Sequence, residues 1–354
     1  MSYQLTIEPL GEVIEVEEDQ KLLDAALRAG IWLPYACNHG VCGSCKIQVL
    51  EGEVEHNEAS GFALMDMERD EGKTLACCAT LSSDVVIEAD IEEEDDALNL
   101  SVDDYSGTVV KIENLTPTIM GIWLEVPGEG VEFQAGQYLN LHIPGLEDPR
   151  AFSIANSPSE PNLIELNIRH VEGGQATTYL HQQLVVGDEL TFTAPLGRFF
   201  VRKSAPEPMI FLAGGSGLSS PKSMILDLLE EGDEREITLV YGARCRSELY
   251  YYDLFTELSE KYKNFHYVAA LSEPNEDDEW KGSCCFVHQL AEQHFGKNFE
   301  GYKAYMCGPP LMIDGCITAL MQGRLFEDHI FMENFFTAAD SAKPARRSAL
   351  FKKF

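Results

Sequence analysis

Four cysteines are spaced for iron–sulfur chemistry. Cys37, Cys42 and Cys45 form a C-x4-C-x2-C run, and Cys77 follows thirty-two residues after Cys45. Three thiolates from one tight loop and a fourth from a distant segment match the ligand spacing of a plant-type 2Fe-2S cluster. A zinc site would ask for two C-x2-C knuckles, and only one such pair is present. Gly40 and Gly43 lie inside the run, where the chain must approach the sulfides closely and offer backbone N–H groups. Cys78, beside Cys77, reads as a buried apolar thiol.

Three further motifs suit flat, phosphate-bearing cofactors. Arg150-Ala151-Phe152-Ser153 ends a β-like run. It offers a guanidinium for a pyrophosphate and an aromatic ring for a flat ring system. Gly173-Gly174-Gln175-Ala176-Thr177 follows, opening a helix expected over Thr178–Leu184. Free N–H groups and the helix dipole at such a start attract phosphate. Gly214-Gly215-Ser216-Gly217 stands between an apolar strand and a helix. No Gly-Lys-Ser/Thr follows, so it is no P-loop. Ser220 occupies the place of a third fingerprint glycine, yet a strand, glycine turn and helix still form a dinucleotide phosphate site. Cys307-Gly308-Pro309-Pro310 follows another apolar strand, and a strand-end Cys in an open α/β sheet faces the ligand crevice.

The elements that must position these residues fall into three cadences. Tyr3–Pro9 and Glu12–Glu17 alternate around Leu10-Gly11 as a hairpin. Lys21–Ala29 carries Leu22, Leu23, Ala26 and Leu27 at helical spacing and stops at Gly30. The Cys-rich loop from Pro34 to Cys45 follows, then strands at Lys46–Leu50 and Val85–Ala89. Residues 88–104 hold nine acids in seventeen positions, a self-repelling, extended linker composition. Short β-like runs then recur: Ser106–Val110, Ile119–Val126, Tyr138–Ile143, Leu163–Arg169 and Glu189–Thr193, the rhythm of a small antiparallel barrel. From Pro208 strands alternate with helices: strand Met209–Ala213, helix Lys222–Glu231, and strands Ile237–Tyr241, Lys303–Cys307 and Ile330–Glu333. That pattern predicts βαβ units and a parallel sheet. No internal repeat is visible. The expected organisation is a multidomain chain: an α+β unit over 1–91, an acidic linker over 92–104, an antiparallel β-barrel over 105–203 and an α/β parallel-sheet domain over 204–354.

Composition narrows the function. The 354 residues carry 26 Lys+Arg against 59 Asp+Glu, a net charge of −33. Such a chain repels phosphate backbones, so nucleic acid is not an expected partner. Residues 1–104 hold 25 acids and 5 bases, net −20, which suits steering toward a basic protein partner. No segment approaches the roughly 20 apolar residues that span a bilayer. The start MSYQLTIEPLGEVIEVEEDQ lacks the basic and apolar regions of a secretory signal, so no membrane role and a cytoplasmic location are expected. Ten cysteines in that setting suggest metal or reactivity before disulfides.

Taken in this order, the four motifs resemble the reductase components of soluble bacterial multicomponent monooxygenases, nearest to the phenol hydroxylase reductase group. That family joins a plant-type ferredoxin domain, of β-grasp fold, to a ferredoxin–NADP-reductase-like module with an FAD barrel and an NAD domain. The resemblance spans essentially the whole chain. It extends to Ala194-Pro195-Leu196-Gly197-Arg198-Phe199, Tyr241-Gly242-Ala243-Arg244, Glu333-Asn334-Phe335 and the tail Arg347-Ser348-Ala349-Leu350-Phe351-Lys352-Lys353. It implies that Cys37, Cys42, Cys45 and Cys77 ligate the cluster. Arg150 would bind the flavin pyrophosphate, Phe152 would stack on the isoalloxazine, and Ser153 would lie near its reactive edge. Gly173, Gly174 and Thr177 would hold FAD phosphate. Gly214, Gly215 and Gly217 would cradle NADH pyrophosphate, and Arg244 belongs to the ribose-contacting stretch. Cys307, Gly308 and Pro309 would border the nicotinamide, with Glu333 and Phe335 near the flavin; Cys307, Ser153, Glu333 and Phe335 are the implied catalytic set. Phe152 stands where Tyr is commoner, Ala194 where Gly is, and Thr177 where Ser is.

The order of carriers follows from electron counting. NADH gives two electrons as a hydride, a 2Fe-2S cluster takes one at a time, and a flavin holds either number, so FAD must stand between them. The expected recipient is the di-iron hydroxylase component of a phenol- or toluene-type system in aromatic degradation. A ring-hydroxylating dioxygenase or a methane- or alkene-type monooxygenase shares the same motifs. A redox sensor that binds nucleotide without turnover is the alternative of a different class, and NADH-driven reduction of ferricyanide separates it. In the segment Arg244-Cys245-Arg246-Ser247-Glu248 the two arginines would welcome a 2′-phosphate and Glu248 would repel one; NADH is the expected donor.

Overall fold

Alternating apolar residues at Leu5, Ile7 and Val16 pack one face of a hairpin into the first core of the molecule. The computed structural model describes residues 2–91 and 94–335, and it divides into one compact unit up to Asp103 and a second from Asp104. Glu92 and Glu93 of the acidic stretch and the tail 347–353 lie outside the described residues.

The first unit comprises β1 (Ser2–Glu8), β2 (Glu12–Glu17), α1 (Leu22–Arg28), β3 (Lys46–Glu51), β4 (Val54–Glu55), α2 (Asp66–Asp70), β5 (Lys73–Leu75), β6 (Thr80–Leu81) and β7 (Val85–Glu88). Its five-stranded sheet has the order β2-β1-β7-β3-β5. β1 and β7 run parallel, with Leu5 opposite Val85 and Ile7 opposite Ile87. α1 buries Leu22, Leu23, Ala25 and Ala26 and ends where Gly30 turns left-handed at φ +73°. Each buried Leu is worth about 1.5–3 kcal/mol over an exposed one, so this face holds α1 in place far better than seven residues of helix hold themselves. This is the β-grasp arrangement that the resemblance implied.

The second unit opens with β8 (Asp103–Asn114), β9 (Ile119–Glu125), β10 (Tyr138–His142), β11 (Arg150–Ser153), β12 (Leu163–Arg169), α3 (Gln175–Gln182) and β13 (Glu189–Leu196). The sheet order is β11-β10-β13-β8-β9-β12, and an antiparallel bridge between Ile154 and Leu166 joins its two ends into a barrel. β8 is longer than the expected run Ser106–Val110: it starts in the acidic stretch, where the Thr193 hydroxyl donates to Asp104 at 2.7 Å.

Beyond the barrel come β14 (Met209–Gly214), α4 (Ser219–Glu231), β15 (Ile237–Ala243), α5 (Tyr252–Lys261), β16 (Phe265–Leu271), β17 (Ser283–Cys284), α6 (Val287–His294), β18 (Lys303–Gly308), α7 (Pro310–Gln322) and β19 (Ile330–Asn334). They build a parallel sheet of order β17-β16-β15-β14-β18-β19. β16 and β17 were not anticipated. α3 and α4 each begin three residues before the expected start, because Gly174 caps the former and Pro221 is tolerated in the first turn of the latter. The strand order reverses between β14 and β18, and the crevice beyond their carboxyl ends is where open α/β sheets bind ligands. The Gly215–Gly217 turn and Gly308-Pro309 sit there.

Candidate functional site

In the first unit the stretch from Cys37 to Cys45, between α1 and β3, is wound tightly by three left-handed residues, Asn38, Gly40 and Gly43 (φ +56°, +69° and +78°). The winding turns backbone donors onto sulfur. The His39 N–H faces Cys37 Sγ at 3.4 Å, and the Ser44 N–H faces Cys42 Sγ at 3.5 Å. A side chain at Gly40 would meet Cys78 Sγ at 2.5 Å and the Glu58 carbonyl at 3.2 Å, so only glycine allows this approach. Cys77 arrives from a separate turn, anchored by the Ala76 N–H donating to the Cys45 carbonyl and the Leu23 N–H donating to the Ala76 carbonyl. Its Sγ lies 3.2 Å from Cys45 Sγ, and both thiols are buried. Cys42 is exposed and Cys37 half-buried.

The thiols thus come as two pairs, Cys37 with Cys42 and Cys45 with Cys77. Within each pair a shared proton moves the titrations apart. The hydrogen bond to Cys37 pulls Cys42 down to about 4 while Cys37 is raised, and the bond to Cys77 lowers Cys45 while Cys77 is raised. Among the described residues no three His, Cys, Asp or Glu side chains converge as they would on one ion. Two thiol pairs fit a group with two metal atoms and suit the donor set of a 2Fe-2S cluster. Cys78 is buried 3.7 Å from Cys77 Sγ, and burial pushes its thiol up to about 12.

In the second unit, β11 brings Ser153 to the edge of the barrel, paired across the ladder with Tyr138. Phe152 packs half-buried on the barrel core. Arg150 is exposed, and its Nη1 donates to the carbonyls of Asp148 and Pro149 at 2.9 and 3.0 Å. Gly197, left-handed at φ +89°, closes β13 against the Tyr138 ring, where a Cβ would stand 2.8 Å from two ring carbons. Gly173 is left-handed and Gly174 caps α3. The Thr177 hydroxyl accepts from the Val171 N–H at 3.1 Å, so it is engaged in shaping the turn that presents the N–H groups of α3.

At the switch point the glycine turn lies close against the end of β18 and the first turn of α7. A Cβ at Gly217 would lie 2.3 Å from the Cys307 carbonyl oxygen, and one at Gly214 would lie 2.4 Å from Met312 Sδ. Gly215 is left-handed and accepts from the Tyr241 hydroxyl at 3.4 Å. Pro309 caps α7, and the Phe335 N–H donates to the Gly308 carbonyl at 3.0 Å.

Three elements of the parallel-sheet part and the barrel strand end meet at one oxygen. Glu333 Oε2 accepts from Ser153 at 3.3 Å and from Ser220 at 3.0 Å, and lies 3.7 Å from Cys307 Sγ. Glu333 is half-buried with its carboxyl turned inward; burial lifts that group to about 7 against the pull of its hydrogen-bond donors. Burial, then the neighbouring carboxylate, push the Cys307 thiol far above its ordinary range. The pocket therefore holds a neutral thiol and a carboxyl that exchanges a proton near neutrality.

Of the four residues implied as catalytic, Ser153, Cys307 and Glu333 lie side by side, while Phe335 is joined to this region through its N–H on the Gly308 carbonyl. Ser220, noticed in the sequence only as a missing glycine, belongs with the first three. Arg169 was also missed: its guanidinium reaches from the end of β12 to 3.7 Å from the Cβ position of Gly215, and it makes no side-chain hydrogen bond or ion pair among the described residues. Arg244 is exposed and pairs at 3.2 Å with Glu248, whose other oxygen accepts from Thr118 at 2.7 Å. Glu248 is therefore engaged, not a free repelling charge.

Comparison with known proteins matches all three regions to cofactor-binding domains. Residues 5–82 match a 2Fe-2S iron-sulfur cluster binding domain, residues 106–201 an oxidoreductase FAD-binding domain and residues 211–317 an oxidoreductase NAD-binding domain. The chain is 58% identical over 352 residues to a phenol hydroxylase P5 protein of Acinetobacter pittii (strain PHEA-2), covering 99% of each. It is 58% identical over 353 residues to the reductase component of phenol 2-monooxygenase from Pseudomonas sp. (strain CF600), covering 100% of each. Among solved structures, a cytochrome P450 reductase of Amycolatopsis superposes with a TM-score of 0.84 at 30% identity, over 94% of this chain and 98% of that one. Full-length identity of this order, on a chain whose thiol loop, barrel and parallel sheet correspond to the three matched domains, means that the chain belongs to the family of phenol hydroxylase reductase components, oxidoreductases with 2Fe-2S, FAD and NAD domains.

Proposed function

We propose that this reductase draws its electrons from NADH and delivers them to the di-iron hydroxylase component of a phenol-type monooxygenase in the cytoplasm. In this reading residues 1–91 carry the cluster, 92–104 form an acidic connection, 105–203 hold FAD and 204–354 hold the nucleotide. When bound, the three groups supply a hydride donor, a carrier of one or two electrons and a one-electron carrier.

The chain's own residues bind and orient. Cys37, Cys42, Cys45 and Cys77 hold the cluster. Arg150, Phe152 and the N–H groups offered by Gly173, Gly174 and Thr177 hold FAD. Gly214, Gly215 and Gly217, with Arg169 and Arg244, hold NADH, and Gly308 and Pro309 border it. Cys307 stays a neutral thiol, so it adds no charge beside the reacting ring. Glu333, anchored by Ser153 and Ser220, holds a proton near neutral pH, and Phe335 closes the same crevice.

The observation that carries this reading is the meeting of Ser153 with Ser220, Cys307 and Glu333. It joins the end of the barrel's flavin-motif strand to the nucleotide crevice within one unit. Full-length likeness to phenol hydroxylase reductases supports the phenol-type partner. The purified protein should contain about two irons, two acid-labile sulfides and one FAD per chain. In anaerobic stopped flow, NADH should bleach the flavin before the cluster, with a higher kcat/KM than NADPH. A preference for NADPH overturns the choice of donor, and failure to support phenol hydroxylation with the oxygenase component of such a system overturns the choice of partner.

A further inference from the structure

A buried ion pair lies across the boundary between barrel and parallel sheet, and none of the roles above uses it. Lys222 in the first turn of α4 and Glu165 in β12 are 4% and 5% exposed. Lys222 Nζ donates to Glu165 Oε2 at 2.7 Å and to the Ala155 carbonyl at 3.0 Å, and lies 4.8 Å from the centre of the Tyr251 ring. The Tyr251 hydroxyl donates to the other carboxylate oxygen, Oε1, at 2.6 Å. One residue on, the Ser223 hydroxyl donates to the Asn156 carbonyl at 2.7 Å. Tyr251 holds a left-handed backbone, φ +56°, a conformation that a bulky aromatic rarely adopts without being held in it.

The two ends of this network matter. Ala155 is two residues beyond Ser153, at the end of the strand that carries the flavin motif. Lys222 is in the helix that begins directly after the Gly215–Gly217 turn, two residues from Ser220. We infer that Lys222, paired with Glu165 and steadied by Tyr251, is a positioning residue: it fixes the nucleotide turn against the flavin strand and so sets the register for hydride transfer. The inference rests on the reading of those two elements as the flavin and NADH sites. Apolar side chains would give a boundary of equal or greater stability, since a buried pair returns little beyond its desolvation cost. What a pair adds is direction: the ammonium is held by one carboxylate oxygen and one carbonyl, which leaves helix and strand a single relative setting.

The test uses the FAD- and cluster-loaded full chain and three variants: Lys222→Met, Glu165→Gln and both together. Each single change strands a buried partner and should lower Tm by roughly 10 °C. The limiting rate of flavin reduction at saturating NADH should fall roughly tenfold to a hundredfold, while flavin reduction by dithionite, which bypasses the nucleotide, stays unchanged. The double variant separates the two roles. It leaves no unpaired charge, so its Tm should recover, but its limiting rate should stay low with little change in the NADH concentration that half-saturates it. A double variant that regains the wild-type rate together with its Tm makes the pair merely structural and overturns the inference. Wild-type rates in the single variants overturn it as well. Should Lys222→Met fail to fold, Tyr251→Phe removes one hydrogen bond without stranding a charge, and an unchanged limiting rate there has the same force. If NADH fails to reduce the wild-type flavin at all, the underlying reading of the sites falls first.

Discussion

Replacing Gly217 by alanine puts a methyl group where the glycine turn touches the end of β18. The new Cβ would stand 2.3 Å from the Cys307 carbonyl oxygen, 2.6 Å from its carbon and 2.7 Å from Gly308 Cα. Real Cβ atoms keep at least 3.0 Å, and all three neighbours are backbone, so no side chain can swing away. Turn and strand must part by at least about 0.7 Å. Misplacement by about 1 Å costs on the order of a hundredfold in rate when reacting groups have to be aligned, so a loss of roughly tenfold to a hundredfold in kcat/KM for NADH is expected, about 1.4–2.7 kcal/mol in the barrier. The overpacking itself should cost about 1–3 kcal/mol of stability, too little to unfold a unit of this size. The assay is anaerobic stopped flow, following flavin bleaching by NADH and, separately, by dithionite. Gly214→Ala is the internal comparison, because its closest obstacle is the end of a flexible side chain, Met312 Sδ at 2.4 Å, and its loss should be smaller. Flavin reduction by NADH within about twofold of wild type in Gly217→Ala would refute the claim that this close approach sets the nucleotide's position.

Three further outcomes are expected. Cys42→Ser should abolish the cluster's absorption while NADH-dependent ferricyanide reduction stays nearly intact; loss of both together would show that the two redox parts do not work separately. Glu333→Gln should remove a titration near pH 7 from the pH profile of flavin reduction. The folded carboxyl titrates at about 7 against an ordinary 4.5, so its contribution to stability is full below about 4.5 and is lost as pH rises through 7. The slope of Tm against pH across that window should flatten in the variant. Raising salt from about 50 to 500 mM shortens the Debye length from about 14 to 4 Å. Reduction of the hydroxylase should then slow severalfold if the net −20 over residues 1–104 steers docking, while internal flavin reduction barely changes. Salt-insensitive hydroxylase reduction would assign docking to apolar contact.

The thiol loop was legible because its chemistry is local: three cysteines and two glycines within nine residues suffice to describe it. The glycine turn after β14 was legible for the same reason. The residues that escaped have distant partners. Ser220 meets Glu333 from 113 residues away, Lys222 meets Glu165 from 57, and Thr118 meets Glu248 from 130. No spacing rule connects such pairs, and a lysine in the first turn of a helix looks like a solvated one. Arg169 ended a strand correctly anticipated at Leu163–Arg169, but only the fold brings that end to Gly215. β16 was missed because Phe265-His266-Tyr267 interrupts its apolar run with a ring that faces solvent.

The pairing of β1 with β7 joins positions some eighty residues apart, and every thiol of the first site lies between them. On a ribosome adding roughly 5–20 residues per second, Cys77 emerges seconds after Cys45, and the strand that closes the sheet comes later still. A nascent chain therefore presents three thiols before it has either the fourth or a finished sheet. Pairings of such long range form slowly, because loop closure comes before any reward from contact. Metal that binds the folded arrangement in preference to the open one would draw the sheet closed. Cofactor maturation and the last step of folding would then coincide, and cells starved of iron should accumulate the chain in a protease-sensitive form.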